Sequence, residues 1–213
     1  MAGEQVIQQP ELWSDLDGTA VAKFPKTNIR NWFKYPLPII PGYRDFLRGF
    51  QSDDEGRLGN IVSIRPDFWP RRLATRMTIE RSGIEAFYPM KNVILAGSER
   101  AKAIQVVNAA GVGLVGMIDD KPHKIGKSLL DVMAMQQRDE SFGLTLGAVQ
   151  TETQGDSVER LLSGAQNLLD VRLNERGLTT DIITPNGTLT LIELAGYSFA
   201  AGKNFAHAVR NMQ

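Results

Sequence analysis

Four short apolar runs limit most strongly what this chain can fold into. They occupy residues 60–64, 92–97, 112–118 and 144–149. Each run is continuous rather than alternating in polarity, which is typical of strands that are covered on both faces of a sheet. Segments with helical character lie before and between the runs, at 42–50, 69–83, 98–111 and 125–138. This alternation predicts an α/β fold, a Rossmann-like three-layer sandwich in which helices cover both faces of a mainly parallel sheet.

The pattern of the sequence changes after residue 150. A polar loop at 151–156 leads into a segment in which apolar residues, Leu161 among them, recur at helical spacing. Asp156 and Glu159 have the spacing of a capping box, so a helix is predicted to begin at Asp156.

A hairpin and a terminal helix are predicted beyond that helix. Two strand-like runs over 181–194 surround Pro-Asn-Gly, and Asn-Gly favours a hairpin turn with positive φ. The last residues, 198–213, have the pattern of a helix. We therefore expect a catalytic core at 1–150 and a C-terminal extension at 151–213, made of helix, β-hairpin and terminal helix, packed on that core.

Composition places the chain among ordinary globular proteins. Hydrophobic residues make up 42% and charged residues 23% of its 213 residues. Lys plus Arg and Asp plus Glu each number 24, so a nucleic acid or an anionic membrane would have to be met by a local patch. No run reaches the ~18 apolar residues of a membrane helix, and the N-terminus lacks the order of a secretory signal. We expect a cytoplasmic protein.

The absence of cysteine and the scarcity of histidine restrict the chemistry. Without cysteine there are no disulfides, thiolate zinc sites or cysteine nucleophiles. His123 and His207 are the only histidines, which argues against histidine-rich metal sites and most Ser-His-Asp arrangements. Carboxylates must therefore carry most of the chemistry.

Acidic, hydroxyl and ammonium groups stand at or near the predicted strand ends, where an open parallel sheet binds its ligands. They are Asp15, Asp17, Thr19, Ser63, Lys102, Asp119 and Asp120. Magnesium is usually held by one or two carboxylates together with waters and a substrate phosphate. A carboxylate can attack phosphorus to form an aspartyl-phosphate, and a hydroxyl and an ammonium can hold the phosphoryl oxygens. The set predicts a magnesium-dependent phosphoryl-transfer site.

This ordered set resembles the motifs of the haloacid dehalogenase-like (HAD) superfamily. "DLDGT" at 15–19 is similar to the first motif, and the apolar run closed by Ser63 is similar to the second. Lys102 lies in the place of the third-motif lysine, and "VGMIDD", which ends at Asp119 and Asp120, resembles the acidic fourth motif. The resemblance covers residues 12–120, roughly half of the chain, with the motifs in the expected order.

The resemblance implies two catalytic aspartates. Asp15 would be the nucleophile that becomes phosphorylated. Asp17 would be the general acid that protonates the leaving group and then the base that activates water. Because side chains alternate at the end of a strand, Leu16 can point into the core while both acids face the cleft. Gly18 would allow a sharp exit from the strand.

The resemblance also implies the ligands of phosphate and metal. Thr19, Ser63 and Lys102 would bind the phosphoryl group, and the lysine would offset repulsion between the anionic nucleophile and the anionic substrate. Magnesium would be held by Asp15, Asp119, Asp120 and the backbone carbonyl of Asp17.

Simpler interpretations exist for several of these residues. The pair Asp119–Asp120, taken alone, is most often an ordinary polar turn after a strand. Ser63 could be only a turn former. Lys102 competes for the lysine role with Lys91 and Lys124, since a lysine on a helix is usually solvated.

Arginines and a histidine beyond the motifs are candidates for a substrate rim. Arg65, Arg71, Arg72 and Arg76 follow Ser63 closely, and the simpler interpretation is a solvated helix face. The functional interpretation is a rim that attracts phosphate or a nucleic-acid end, with Phe68 or Trp69 available for stacking. His123 is a candidate substrate contact, although a lone histidine more often has a structural role.

The strand before Asp15 departs from the family pattern. Pro10, Glu11 and Ser14 interrupt it, so it is predicted to be short or to lie partly at a sheet edge. The intervals between successive motifs leave no room for a large cap domain, so an open active site is expected.

Three functions follow from this set. The leading hypothesis is a magnesium-dependent phosphomonoester phosphatase with an aspartyl-phosphate intermediate, acting on a phosphorylated small molecule, nucleotide or macromolecular end. A second is a phosphatase of nucleotides or polynucleotide ends, favoured by the arginines and disfavoured by the neutral net charge. A third is an inactive HAD-like scaffold that binds a partner. The retention of Asp15, Asp17 and Asp119 argues against it, because clustered like charges are costly.

Overall fold

One eight-stranded sheet forms the centre of the protein. The structure, a computed structural model, describes residues 8–23, 37–54, 56–136, 141–149, 161, 172–176 and 179–212. The strands are β1 (Glu11–Ser14), β2 (Arg57–Ser63), β3 (Val93–Leu95), β4 (Val115–Asp119), β5 (Phe142–Val149), β6 (Arg172–Arg176), β7 (Thr179–Thr184) and β8 (Gly187–Leu194). Their order is β3-β2-β1-β4-β5-β8-β7-β6, with parallel neighbours from β3 to β8 and antiparallel pairs β8–β7 and β7–β6.

Five α-helices pack on this sheet within the described residues. They are α1 (Tyr43–Phe50), α2 (Trp69–Ser82), α3 (Glu99–Ala110), α4 (Pro122–Met135) and α5 (Phe199–Arg210). The Ser98 hydroxyl accepts a hydrogen bond from the Ala101 N–H at 3.2 Å and so caps α3, as residues of this type do. The helix predicted from Asp156 lies outside the described residues apart from Leu161, which is buried. In the part of the chain that the structure describes, no helix is long and apolar enough to cross a membrane.

Two hydrophobic cores, one on each face of the sheet, produce the three-layer sandwich. Leu12 and Trp13 are adjacent in β1 but belong to opposite cores, since side chains alternate along a strand. The core on the side of Trp13 is completed by α3 and α4, and the core on the side of Leu12 by α1, α2 and α5. The predicted α/β fold with a mainly parallel sheet is therefore confirmed.

The predicted C-terminal hairpin is present as β7 and β8, and it lengthens the central sheet. β8 pairs with β5 along its whole length, from Phe142 opposite Gly187 to Val149 opposite Leu194. The expected positive φ falls on Gly187, at +149°. This residue opens β8 and follows the two turn residues, so the turn itself contains no positive φ. The domain boundary at residue 150 stays a prediction, although the β5–β8 ladder crosses it.

The strand before Asp15 is short, which is the first of the two predicted alternatives, and it does not lie at an edge. β1 has four residues and lies between β2 and β4. Its polar residues are tolerated there because each has a partner. The Glu11 carboxylate pairs with Arg57 at 3.1 Å. The Ser14 hydroxyl donates to the Asp15 carbonyl at 2.8 Å and accepts from the Tyr43 hydroxyl at 2.9 Å.

Candidate active site

The carboxyl ends of three neighbouring strands meet at one cavity. β2 ends at Ser63, β4 ends at Asp119, and Asp15 directly follows β1. The Asp15 N–H donates to the Ile118 carbonyl at 2.9 Å, which extends the β1–β4 ladder by one residue. The cavity has a volume of about 260 Å³. Five acidic and five basic residues line it: Asp15, Asp17, Glu99, Asp119 and Asp120 with Lys23, Arg65, Arg71, Lys102 and Lys121.

Lys102 joins two of these acids. It projects from α3 and is only 1% exposed. Its Nζ lies 2.7 Å from Asp15 Oδ1 and 2.6 Å from Asp119 Oδ2. Burial alone would lower the pKa of Lys102, but the two carboxylates outweigh burial and raise its pKa above the ordinary value. Lys91 and Lys124 are both exposed and line no part of this cavity.

Asp15 is a strongly perturbed acid. Burial raises the pKa of its carboxyl to about 8; Lys102 opposes this rise, and Asp119 adds to it. A buried carboxylate with a raised pKa gains most from an additional positive charge nearby. Asp15 is therefore suited to contact a cation.

Three carboxylates can reach a common metal ion. Asp15, Asp119 and Asp120 can each offer an oxygen atom, and these atoms lie within 4.8 Å of one another. The backbone N–H of Lys121 donates to Asp119 Oδ1 at 2.7 Å and so helps to orient that carboxylate. Asp120 pairs with Lys23 at 2.7 Å, and burial raises the pKa of Asp120. An all-oxygen donor set of this kind fits Mg²⁺.

The chain turns sharply within the first motif, at Gly18. Leu16 is fully buried in the core, while Asp15 and Asp17 on either side of it line the cavity. The alternation predicted from the sequence is therefore confirmed. Gly18 has φ +91°, and its N–H donates to the Val21 carbonyl at 2.7 Å. This backbone conformation favours glycine and returns the chain away from the cavity.

Arg65 holds the side chain of Asp17 with two hydrogen bonds. Its Nε donates to Asp17 Oδ2 at 2.8 Å and its Nη2 to Asp17 Oδ1 at 2.5 Å. Its Nη1 donates to the Thr75 hydroxyl on α2 at 3.0 Å. The sequence suggested Arg65 only as a rim residue, but its side chain is 11% exposed and lies inside the site.

The remaining predicted residues divide into those inside the cavity and those outside it. Ser63 lines the cavity, is 1% exposed, and its hydroxyl accepts from the Arg65 N–H at 3.2 Å. Thr19 is fully buried and does not line the cavity, so the structure does not bring it to a phosphate position. Arg72 is exposed and pairs with a surface carboxylate, and His123 on α4 lines no part of the cavity.

Three charged lining residues escaped the sequence analysis: Lys23, Glu99 and Lys121. Lys23 and Lys121 each stand a few residues beyond a motif aspartate, which is the only signal that could have found them. Arg71 lies in the first turn of α2 and Glu99 in the first turn of α3. Proximity of helix starts to strand ends could have suggested Glu99, whereas Arg71 belongs to the group of arginines that the sequence indicated as a candidate rim.

Comparison of the chain with protein-family models finds no match. Comparisons with curated proteins and with solved structures find none either.

Proposed function

We propose that the protein is a magnesium-dependent phosphomonoester phosphatase that works through an aspartyl-phosphate on Asp15. The observation that supports it most is the contact of the Lys102 ammonium with both Asp15 and Asp119 at the carboxyl end of the sheet. A buried ammonium beside a nucleophilic carboxylate offsets the repulsion that a phosphate dianion would meet there. The ordered resemblance of "DLDGT", Ser63, Lys102 and Asp119–Asp120 to the HAD superfamily points to the same chemistry.

The donor set fits the metal that this proposal requires. Asp15, Asp119 and Asp120 would hold Mg²⁺, with the Asp17 backbone carbonyl as a further ligand that the resemblance implies. When bound, Mg²⁺ would neutralise charge on the phosphoryl oxygens. The lining residues carry five negative and five positive formal charges. A bound dication would therefore give the cavity a net charge of two, which a phosphate dianion would neutralise.

In the first step, an Asp15 carboxylate oxygen attacks phosphorus as the bond to the ester oxygen breaks. Lys102 and the Ser63 hydroxyl hold phosphoryl oxygens, and Asp17 gives a proton to the leaving oxygen, so the alcohol departs neutral. In the second step, water attacks the phosphorus of the aspartyl-phosphate and passes its proton to Asp17. The bond from phosphorus to Asp15 breaks, which releases inorganic phosphate and restores both carboxyl groups.

The test is hydrolysis of p-nitrophenyl phosphate with and without Mg²⁺. We expect Mg²⁺-dependent turnover that Asp15→Asn abolishes, while Asp45→Asn, a matched change at an exposed aspartate of α1, leaves it intact. Intact-mass measurement after rapid acid quench should show a phosphoryl adduct that hydroxylamine removes. Turnover that survives Asp15→Asn, or its absence with every divalent metal, would refute the proposal.

A further inference from the structure

The contact between Arg65 and Asp17 conflicts with the role proposed for Asp17. A general acid has to approach the leaving oxygen within hydrogen-bonding distance. In the structure, both Asp17 carboxylate oxygens accept hydrogen bonds from the Arg65 guanidinium. The guanidinium therefore occupies the shared edge of the two Asp17 oxygens, and Asp17 cannot turn that edge to a substrate while both bonds persist.

The surroundings of Arg65 make that exchange costly without another anion. Its side chain is only 11% exposed, and a guanidinium in this position needs a counterion. Arg71 lines the same cavity. Burial and then the charge of Arg65 lower the pKa of Arg71, whereas Asp17 acts in the opposite direction. Two guanidinium groups therefore lie close to the carboxylate of Asp17.

A third hydrogen bond of Arg65, to a residue other than Asp17, fixes the position of its guanidinium. Nη1 is held by the Thr75 hydroxyl, which is fully buried on α2. When Asp17 turns away, this bond keeps the planar donor group at the cavity wall with Nε and Nη2 directed into the space that Asp17 leaves. A carboxylate or phosphate group has the paired oxygens that match these donors.

We propose that Arg65 binds a second anionic group on the leaving-group side of the substrate, and that this exchange frees Asp17 to face the leaving oxygen. The preferred substrates are then small phosphomonoesters that carry a carboxylate or a second phosphate near the ester oxygen. A cavity of about 260 Å³ suits a molecule of a few carbon atoms. This inference rests on the proposed phosphatase function and adds its substrate class.

Binding to the Asp15→Asn protein tests recognition apart from turnover. Titration calorimetry with Mg²⁺ would compare glycerol 3-phosphate with 3-phosphoglycerate, in which a carboxylate replaces a hydroxymethyl group, and with glycerol 1,3-bisphosphate. We expect 3-phosphoglycerate, glycerol 1,3-bisphosphate or both to bind about tenfold to a hundredfold more tightly than glycerol 3-phosphate. This is the range for a hydrogen bond to a charged group. Which of the two gains more identifies carboxylate or phosphate as the natural second group.

Arg65→Gln in the same background should remove this preference, and Arg65→Lys should restore only part of it. Arg76→Gln is the matched control. Arg76 lies on α2, next in sequence to the Arg65 partner Thr75, but it is exposed, pairs with Glu80 and lies outside the cavity. Thermal melting of each variant verifies folding. If Arg65→Gln does not fold, the three affinities measured on Asp15→Asn alone still test the inference. Equal binding of all three ligands would overturn it.

Turnover gives the second readout. In the protein with Asp15 intact, 3-phosphoglycerate or the bisphosphate should be hydrolysed with a higher kcat than glycerol 3-phosphate, and Arg65→Gln should equalise them. p-Nitrophenyl phosphate, whose leaving group needs little protonation, should change less. Turnover through Asp15 without any preference would leave the phosphatase proposal standing and overturn the role of Arg65. An Arg65-dependent binding preference without turnover would support recognition and overturn the phosphatase proposal.

Discussion

Replacing Lys102 by methionine should destabilise the metal-free protein severely. The substitution keeps a long unbranched side chain but removes the ammonium that lies 2.7 Å from Asp15 and 2.6 Å from Asp119. Both carboxylates are buried, at 7% and 4% exposure, so water cannot take over the role of the lysine. Two buried acids would then lie close together without the ammonium between them.

The expected loss follows from these distances. At an effective dielectric constant of about 20, each contact amounts to about 6 kcal/mol of attraction. Desolvation of three buried ions offsets most of this attraction, and breaking a buried pair by removing one partner typically costs about 3 to 5 kcal/mol. Since domains of this kind have total stabilities of roughly 5 to 15 kcal/mol, the variant should lose a large fraction of its free energy of unfolding.

Urea unfolding at pH 9 in the presence of EDTA measures this loss, because the Asp15 carboxyl, whose pKa burial raises to about 8, is ionised at that pH. Lys91→Met is the matched control, because Lys91 is exposed and distant from the cavity, and it should change the stability by less than about 0.5 kcal/mol. Magnesium should stabilise Lys102→Met more than the original protein, since the ion then meets no competing ammonium. A loss below about 1 kcal/mol for Lys102→Met would show that the buried ion pairs do not hold the site together.

Three further changes test the foundations of the site. Gly18→Ala places a Cβ at φ +91° and 2.8 Å from Asp120 Oδ2, so we expect a loss of about 1 to 3 kcal/mol by thermal melting and weaker Mg²⁺ binding by calorimetry. Tyr197→Phe removes the 3.0 Å hydrogen bond to the Thr19 carbonyl and should cost about 1 to 2 kcal/mol in urea unfolding. Without metal, the raised pKa of Asp15 means that its stabilising contribution is largest below the unfolded value of 3.8 and is lost as the pH rises towards about 8. The stability difference between the original protein and Asp15→Asn should therefore shrink over this range, by up to about 1.4 kcal/mol per pH unit.

The fold followed from the sequence wherever burial alone determined an element. The four apolar runs became β2, β3, β4 and β5, because strands covered by helices bury such continuous runs; β3, at the edge of the sheet, is only half-buried. β6 escaped prediction, since "RLNER" is mostly polar and has no apolar run. The pairing of β8 with β5 also escaped, because a hairpin signal fixes how two strands join and leaves open where the hairpin docks.

The sequence predicted which residues meet at the cavity better than it predicted the contacts between their side chains. Asp15, Ser63, Lys102 and Asp119 meet at one cavity because parallel strands and the helices between them bring these positions together. The contact of Arg65 with Asp17 joins residues 48 positions apart through side chains alone, and no periodic pattern encodes it. Sequence spacing therefore identifies which groups assemble but not which of them are paired.

Tyr197, which lies beyond residue 150, stabilises the backbone of the first motif. The Tyr197 hydroxyl donates to the Thr19 carbonyl, and the rings of Tyr197 and Tyr43 are in edge contact with centroids 5.2 Å apart. Tyr43 in turn donates to the Ser14 hydroxyl, whose own proton is bound by the Asp15 carbonyl. Two hydrogen-bonded branches, joined by the ring contact between Tyr197 and Tyr43, thus connect the C-terminal segment to the carbonyls of Thr19 and Asp15. The charged residues that line the cavity lie between positions 15 and 121, whereas the backbone of the first motif is also held by Tyr197, far beyond them.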